Sequence, residues 1–287
     1  MVIRDLKNEI KKILSLRDTE LLITEALSIS VTDYILGDFR EISDSDYCRV
    51  TEMANRIKNG EPLQYVTGET EFMSLRFRVN PNVLIPRPDT ETLVEKAISL
   101  LGNSSSPSVL DIGTGSGCVG ISIAALVKNS DVTLLDISEK ALETASVNAK
   151  ENNVSVKLIK CDILNDVPDM KYDMIVSNPP YIQKKVIDTL DRNVRDFEPH
   201  LALDGGEDGL VFYRRISHIA KSILNPGGMI VFEVGFDQAD DVSGILAEDG
   251  FSEIEATKDL CGINRVVSAK KQQKNSTFFQ KSIDNIF

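Results

Sequence analysis

The tetrad Asn178-Pro179-Pro180-Tyr181 joins a side-chain amide, two residues without a backbone N–H and an aromatic ring. It follows Met174, Ile175 and Val176, an apolar run of strand length. The prolines end that strand, because they have no donor for a ladder. An amide fixed at a strand's carboxyl end beside a flat ring can hold a planar substrate. A second cluster, Gly113-Thr114-Gly115-Ser116-Gly117, stands where an earlier strand turns into a helix. Glycines there permit a tight turn and let a ligand approach the backbone closely. The dinucleotide spacing G-x-G-x-x-G, started at Gly113, requires glycine at 118, which is Cys118. A phosphate loop ending in Gly-Lys-Ser/Thr is absent. Asp136 closes the next strand, where a carboxylate can accept hydrogen bonds from both ribose hydroxyls of a nucleoside.

These groups need a scaffold, and the pattern predicts a Rossmann-like α/β fold with a doubly wound, mostly parallel sheet. Strands Ser108–Ile112, Val132–Leu135, Val156–Ile159, Asp173–Ser177 and Met229–Val234 alternate with helices Cys118–Val127, Glu139–Glu151 and Leu210–Leu224. Asn225-Pro226-Gly227-Gly228 reads as a turn, and Ser252–Ala256 with Asn264–Val267 as an antiparallel edge. The α/β domain is expected over 89–269, opening with a helix capped by Asp89 or Thr90. Ahead of it, 61–88 reads as a β-hairpin linker, because Leu75, Phe77 and Val79 alternate with Arg76, Arg78 and Asn80. Residues 1–60 read as a small helical bundle, with Asp18 expected to cap its second helix and Ser43 with Asp46 a later one. The bundle could be a stability cap or a docking surface for a macromolecular partner. Residues 270–287 read as a loose C-terminal extension.

Composition narrows the function classes. The chain has 287 residues, 42% hydrophobic and 26% charged, with a net charge of −12. That acidity disfavours nucleic acid as a partner, since phosphate binding runs on clustered Lys and Arg. Cys48, Cys118, Cys161 and Cys261 are widely spaced, so neither a zinc site nor a disulfide framework is expected, and no metal is called for. His218 reads as an ordinary helix residue. The N-terminus lacks a signal-peptide core, and no apolar run reaches the ~18 residues of a membrane span. A cytoplasmic location is expected.

A nucleoside site without a pyrophosphate cradle, together with Asn-Pro-Pro-Tyr, points to S-adenosyl-L-methionine. Here the chain resembles the class I methyltransferases that methylate planar nitrogens. Further stretches narrow the resemblance: Gly60-Glu61-Pro62-Leu63-Gln64-Tyr65, Glu71-Phe72, Leu84-Ile85-Pro86-Arg87-Pro88-Asp89-Thr90-Glu91, and Glu198-Pro199-His200-Leu201-Ala202-Leu203-Asp204-Gly205-Gly206. Over roughly residues 1–269 it resembles the PrmC/HemK family, the peptide chain release factor glutamine methyltransferases. The resemblance implies methyl transfer to the glutamine amide nitrogen of the Gly-Gly-Gln motif in class 1 release factors. It implies cofactor contacts from Gly113, Thr114, Gly115, Ser116, Gly117, Asp136, Asp162, Ile163 and Asn178. Ile163 stands where family members often carry an aromatic residue, so an aliphatic wall is expected against the adenine. Asn178 and the Pro179 carbonyl would accept hydrogen bonds from the substrate amide, with Pro180 stiffening the turn and Tyr181 packing on the amide plane. Phe72, Pro86 and Arg87 would close over the pocket. The same tetrad would also suit a ribosomal-protein glutamine, or an exocyclic amine of a nucleic-acid base.

Overall fold

The computed structural model describes residues 1–102 and 104–272. Helices α1 (Ile3–Ile10), α2 (Leu16–Leu27), α3 (Val31–Leu36) and α4 (Asp44–Lys58) bury Leu6, Ile10, Leu22, Ile23, Val50 and Ala54 against one another. Ser15, not Asp18, caps α2: its hydroxyl accepts the Asp18 N–H at 3.1 Å, and Asp18 is the third helical residue. The cap is one turn earlier because only an oxygen ahead of the first turn can reach those unpaired N–H groups. Ser43 caps α4 as expected. A short helix, α5 (Leu63–Thr67), packs on α2 and α4, so helical structure continues beyond residue 60.

Strands β1 (Glu69–Phe72) and β2 (Leu75–Arg78) form the antiparallel hairpin, turning through Met73 and Ser74, both at positive φ. The Met73 N–H donates to the Glu91 carboxylate at 2.7 Å. That contact ties the turn to α6 (Glu91–Leu101), the helix that follows. Thr90 occupies the cap position of α6, yet its side chain makes no capping bond.

The sheet is then built from β3 (Ser108–Ile112), α7 (Cys118–Leu126), β4 (Asp131–Asp136), α8 (Glu139–Glu151), β5 (Lys157–Lys160) and β6 (Tyr172–Ser177). Two short helices, α9 (Lys184–Ile187) and α10 (Arg192–Arg195), and a 3-10 turn at His200–Ala202 lead to α11 (Val211–Ile223). The chain closes with β7 (Leu224–Glu233), α12 (Ala239–Glu248), β8 (Phe251–Lys258) and β9 (Asn264–Lys271). The order across the sheet is β5-β4-β3-β6-β7-β9-β8, with β9 antiparallel to both neighbours and the other pairs parallel. Successive residues of the central strands enter opposite cores. Leu110 and Ile175 face α11 and α12, whereas Val109, Met174 and Val176 face α6 and α7. Burial on both faces is why these strands are continuous apolar runs.

Three further details depart from the sequence reading. The expected turn Asn225–Gly228 lies inside β7, where the register against β6 shifts between Tyr172 and Met174. Helix α12 was not anticipated, although Ala239, Val242 and Leu246 give it a buried stripe. Strand β9 runs to Lys271, two residues into the expected extension, and residues 273–287 of that extension lie outside the described residues. Among the described residues, no helix is long and apolar enough to cross a membrane.

Candidate functional site

The chain winds outward in both directions from β3 and β6, leaving a crevice at the carboxyl ends of the strands. A cavity of about 320 Å³ fills it. Gly113, Gly115, Asp136, Asp162, Ile163 and Asn178 all line this cavity, although they come from four separate strand ends. A smaller cavity adjoins, bordered by Arg87, Thr90, Thr114 and Ser116, and Asn178 borders both.

The glycine loop is held from two sides. Gly115 has φ 55° and open space where a Cβ would stand, so its backbone is bare toward the crevice. Its N–H donates to Asp136 Oδ2 at 2.9 Å, and the Ser138 N–H donates to Oδ1 at 2.9 Å. Burial pushes the Asp136 carboxyl up, and these N–H groups oppose the shift. Each oxygen keeps a second lone pair for a ligand hydroxyl. Behind the loop, Asp111 accepts from the Thr114 hydroxyl at 2.6 Å and from the Gly120 N–H at 3.0 Å. Thr114 therefore points its hydroxyl inward. Asp111 is fully enclosed, and burial raises its carboxyl to about 6. Gly120 was not anticipated as a functional position. A Cβ on it would stand 2.2 Å from Leu134 Cδ2 and 3.1 Å from Asp111 Cβ, so α7 approaches the sheet too closely for any side chain. The glycines at 115, 117 and 120 do carry G-x-G-x-x-G, two residues later than the register first tried.

On the opposite wall Ile163 is buried and aliphatic, as expected. Asp162 is engaged by its own loop, accepting from Leu164 N at 3.0 Å and Asn165 Nδ2 at 2.7 Å. The ring that Ile163 lacks enters from elsewhere, because Phe212 of α11 lines the same cavity.

The tetrad closes the cavity at the end of β6. Pro179 and Pro180 line it. Asn178 donates from Nδ2 to Thr90 Oγ1 at 3.3 Å, which leaves Oδ1 as the amide atom offered to the cavities. Tyr181 lines neither cavity. Its ring packs toward the core under α11, and its hydroxyl donates to Glu233 Oε1 at 3.4 Å. Gln238 holds its backbone by donating to the Tyr181 carbonyl at 3.0 Å.

Four side chains of the Pro86–Glu91 segment fasten this region together, each to a different element. Arg87 pairs with Glu198, Asp89 with Arg265 at 3.2 Å, Thr90 with Asn178, and Glu91 with the hairpin turn. Arg87 thus stands at the smaller cavity as expected, but Phe72 does not reach either one. It is 2% exposed, edge-on to Phe77 with ring centroids 6.1 Å apart, in the core beneath α6. Its apolar ring is drawn into that core, and the hairpin register leaves it no path to the crevice.

Known proteins resemble this chain along most of its length. The family described as "Methyltransferase small domain" matches residues 90–225, and "PrmC N-terminal domain" matches residues 8–68. A release factor glutamine methyltransferase of Fusobacterium nucleatum is 42% identical over 92% of this chain and 75% of its own length. One of Clostridium acetobutylicum is 40% identical, over 88% of this chain and 90% of its own. A methyltransferase from Pyrococcus furiosus has the same fold, with a TM-score of 0.54 over 77% of this chain and 99% of that one at 20% identity. With identity of this order over about nine-tenths of its length, the chain belongs to the release factor glutamine methyltransferase family.

Proposed function

We propose that this enzyme transfers a methyl group from S-adenosyl-L-methionine to the side-chain amide nitrogen of the glutamine in the Gly-Gly-Gln motif of class 1 peptide chain release factors. The observation that carries this is Asn178, which borders both cavities with its nitrogen engaged and its oxygen left to accept.

The crevice fits the cofactor. Asp136 offers paired acceptors for ribose hydroxyls, Gly113 and Gly115 present bare backbone, and Ile163 with Phe212 supplies apolar walls for a flat base. When bound, the cofactor supplies an electrophilic methyl group on a sulfonium. The remaining work falls to the tetrad. An amide nitrogen is a poor nucleophile, because its lone pair is delocalised into the carbonyl. Asn178 Oδ1 and the Pro179 carbonyl accept from its N–H groups, which polarises the amide and fixes its direction. Once the new carbon–nitrogen bond forms, the surplus proton on that nitrogen is strongly acidic and passes to water. No base of high pKa is required, and alignment with electrostatic preorganisation provides most of the rate. Tyr181 supports the tetrad from behind through Glu233. The N-terminal bundle docks the factor, a reading supported by its exposed apolar residues Ile35, Leu36 and Phe39.

The test supplies labelled S-adenosylmethionine with a release factor, the factor carrying Gln→Ala in Gly-Gly-Gln, ribosomes, and nucleic acid. Label on the unaltered factor alone is expected. Label on nucleic acid or ribosomes, or equally on the substituted factor, overturns the proposal. Asn178→Ala should lower turnover far more than it lowers the melting temperature.

A further inference from the structure

We infer that Thr90 and Glu233 are positioning residues that set which way round the Asn178 amide points, an inference resting on the glutamine methylation proposed above. The three side chains come from the turn before α6, the end of β7 and the end of β6, and they meet behind the tetrad. Asn178 Nδ2 donates to Thr90 Oγ1 at 3.3 Å. Thr90 is 2% exposed, and its hydroxyl steadies the charged form of the Glu233 carboxylate. Glu233 is itself 2% exposed and accepts from the Tyr181 hydroxyl at 3.4 Å.

The direction in which these groups donate matters chemically. A carboxylate can only accept, and Glu233 Oε2 is buried with no hydrogen-bond partner, so the charged Glu233 draws the Thr90 hydroxyl proton toward itself. Thr90 Oγ1 is then left as an acceptor, and the group it accepts from Asn178 must be the NH2. That turns Oδ1 toward the cavities, where a substrate amide N–H needs an acceptor. If Glu233 is protonated, its proton can go to Thr90. The Thr90 hydroxyl is then free to donate, and Asn178 can present Oδ1 to it and NH2 to the cavity. An amide so turned opposes the substrate's N–H groups with its own.

Glu233 is poorly provided for as a stabilising device. Its Oε2 is buried without a hydrogen-bond partner, although a buried carboxylate is costly unless fully bonded. The groups that face it are mixed in sign. Arg265 of β9 favours its charge and Asp89 opposes it; Tyr181 donates to it, Tyr213 of α11 donates to its own backbone carbonyl at 2.8 Å, and the Cys118 thiol of α7 feels its field. Arg265 is shared with Asp89 at 3.2 Å and Asp259 at 3.3 Å. Burial outweighs the favourable partners and brings the Glu233 carboxyl up to about 7.

The experiment compares Thr90→Val, Thr90→Ser and Glu233→Gln in the full chain. Turnover is measured on release factor, and S-adenosylhomocysteine binding by calorimetry. Thr90→Val should lower kcat by about tenfold or more, with the affinity for S-adenosylhomocysteine within about twofold of wild type, because only orientation is lost. Thr90→Ser restores the hydroxyl and should recover kcat to within about threefold. Wild-type activity should fall on the acid side with a midpoint set by Glu233, and Glu233→Gln should lack that limb. Wild-type kcat in Thr90→Val, or a loss in KM alone, overturns the inference. The Asn178 side-chain amide signal in ¹⁵N NMR, identified by its loss in Asn178→Ala, reads the same relay without turnover. It should shift in Thr90→Val and titrate with Glu233. An unmoved, non-titrating signal overturns the inference even in an active enzyme. Absence of methylation by wild type, with the signal behaving as expected, overturns only the substrate assignment.

Discussion

The side-chain amide of Asn148 holds the backbone of Arg78 at both its polar groups. It accepts the Arg78 N–H at 2.6 Å and donates to the Arg78 carbonyl at 3.0 Å. The same nitrogen donates to the Ser116 carbonyl at 2.8 Å, so one residue of α8 joins the hairpin to the glycine loop. Asn148 is completely buried. Asn148→Leu removes all three bonds and leaves buried backbone groups unpaired, which should cost about 3 kcal/mol in urea unfolding. Because Ser116 lies in the glycine loop proposed to hold the cofactor, affinity for S-adenosylhomocysteine should fall as well. A variant that loses stability but binds the ligand normally would show that the loop does not need this tie.

Gly120 makes a sharper steric prediction. A methyl group there meets Leu134 Cδ2 at 2.2 Å, well inside van der Waals contact. Gly120→Ala should therefore destabilise by about 2 kcal/mol, despite the better helix propensity of alanine. Leu134→Ala in the same chain frees that space, and the double variant should be more stable than the sum of the two single losses predicts. Additive losses in denaturant unfolding would contradict the packing argument.

The legible parts of the fold were those carried by local pattern. Met174, Ile175 and Val176 announce a strand buried on both faces, and Gly113–Gly117 with Asp136 announce two strand ends that meet at one cavity. The illegible parts are pairings between distant residues. Thr90 reads locally as a helix cap, yet its hydroxyl serves Asn178, 88 positions on. Glu233 is one acidic residue at a strand end until folding encloses it beside Tyr181. Phe72 lies in a motif-dense stretch, but its hairpin register sends it to the core. Phe212 looks like any apolar residue of α11, and only the placement of that helix brings it to the cavity. Gly120 was the one missed position with a local signal, had the glycine spacing been started at Gly115.

Asp111 gives a pH dependence with a definite sign. Burial raises its carboxyl from 3.8 to about 6 in the folded protein. The native state thus binds this proton more tightly than the unfolded chain does. Its contribution to stability is full below pH 3.8, is lost as pH rises to about 6, and is flat above that. Measured against Asp111→Asn, wild type should lose on the order of 3 kcal/mol across this window. The comparison with the variant cancels the surface carboxylates, such as Asp46 and Asp208, whose pKa values are lowered and which act in the opposite direction. A difference curve that rises with pH would refute the assignment.

Leu36 and Phe39 test the bundle. Each is 76% exposed, on and just after α3, and the Arg4 guanidinium lies 5.3 Å from the Phe39 ring centre. Because neither side chain is buried, Leu36→Ser with Phe39→Ser should change stability by less than about 0.5 kcal/mol. If this face docks the release factor, KM for the factor should rise about tenfold or more, as loss of apolar contacts at an interface produces. Cofactor affinity should not change. An unaltered KM would assign the bundle a stabilising role alone.

Arg87 and Glu198 separate structure from substrate contact. The Glu198 side chain is 1% exposed and Arg87 is its ion-pair partner, while the other carboxylate oxygen has no hydrogen bond. Arg87→Leu leaves that charge buried and unpaired, and should cost about 3 kcal/mol. Glu198→Gln removes the charge, so adding it to Arg87→Leu should recover much of the loss in stability. Arg87 also borders the smaller cavity. If it serves only to neutralise Glu198, release-factor kinetics should recover along with stability in the double variant. If Arg87 itself touches the substrate, stability should return while KM for the factor stays high. Thermal melts and steady-state kinetics on the same three variants distinguish these outcomes.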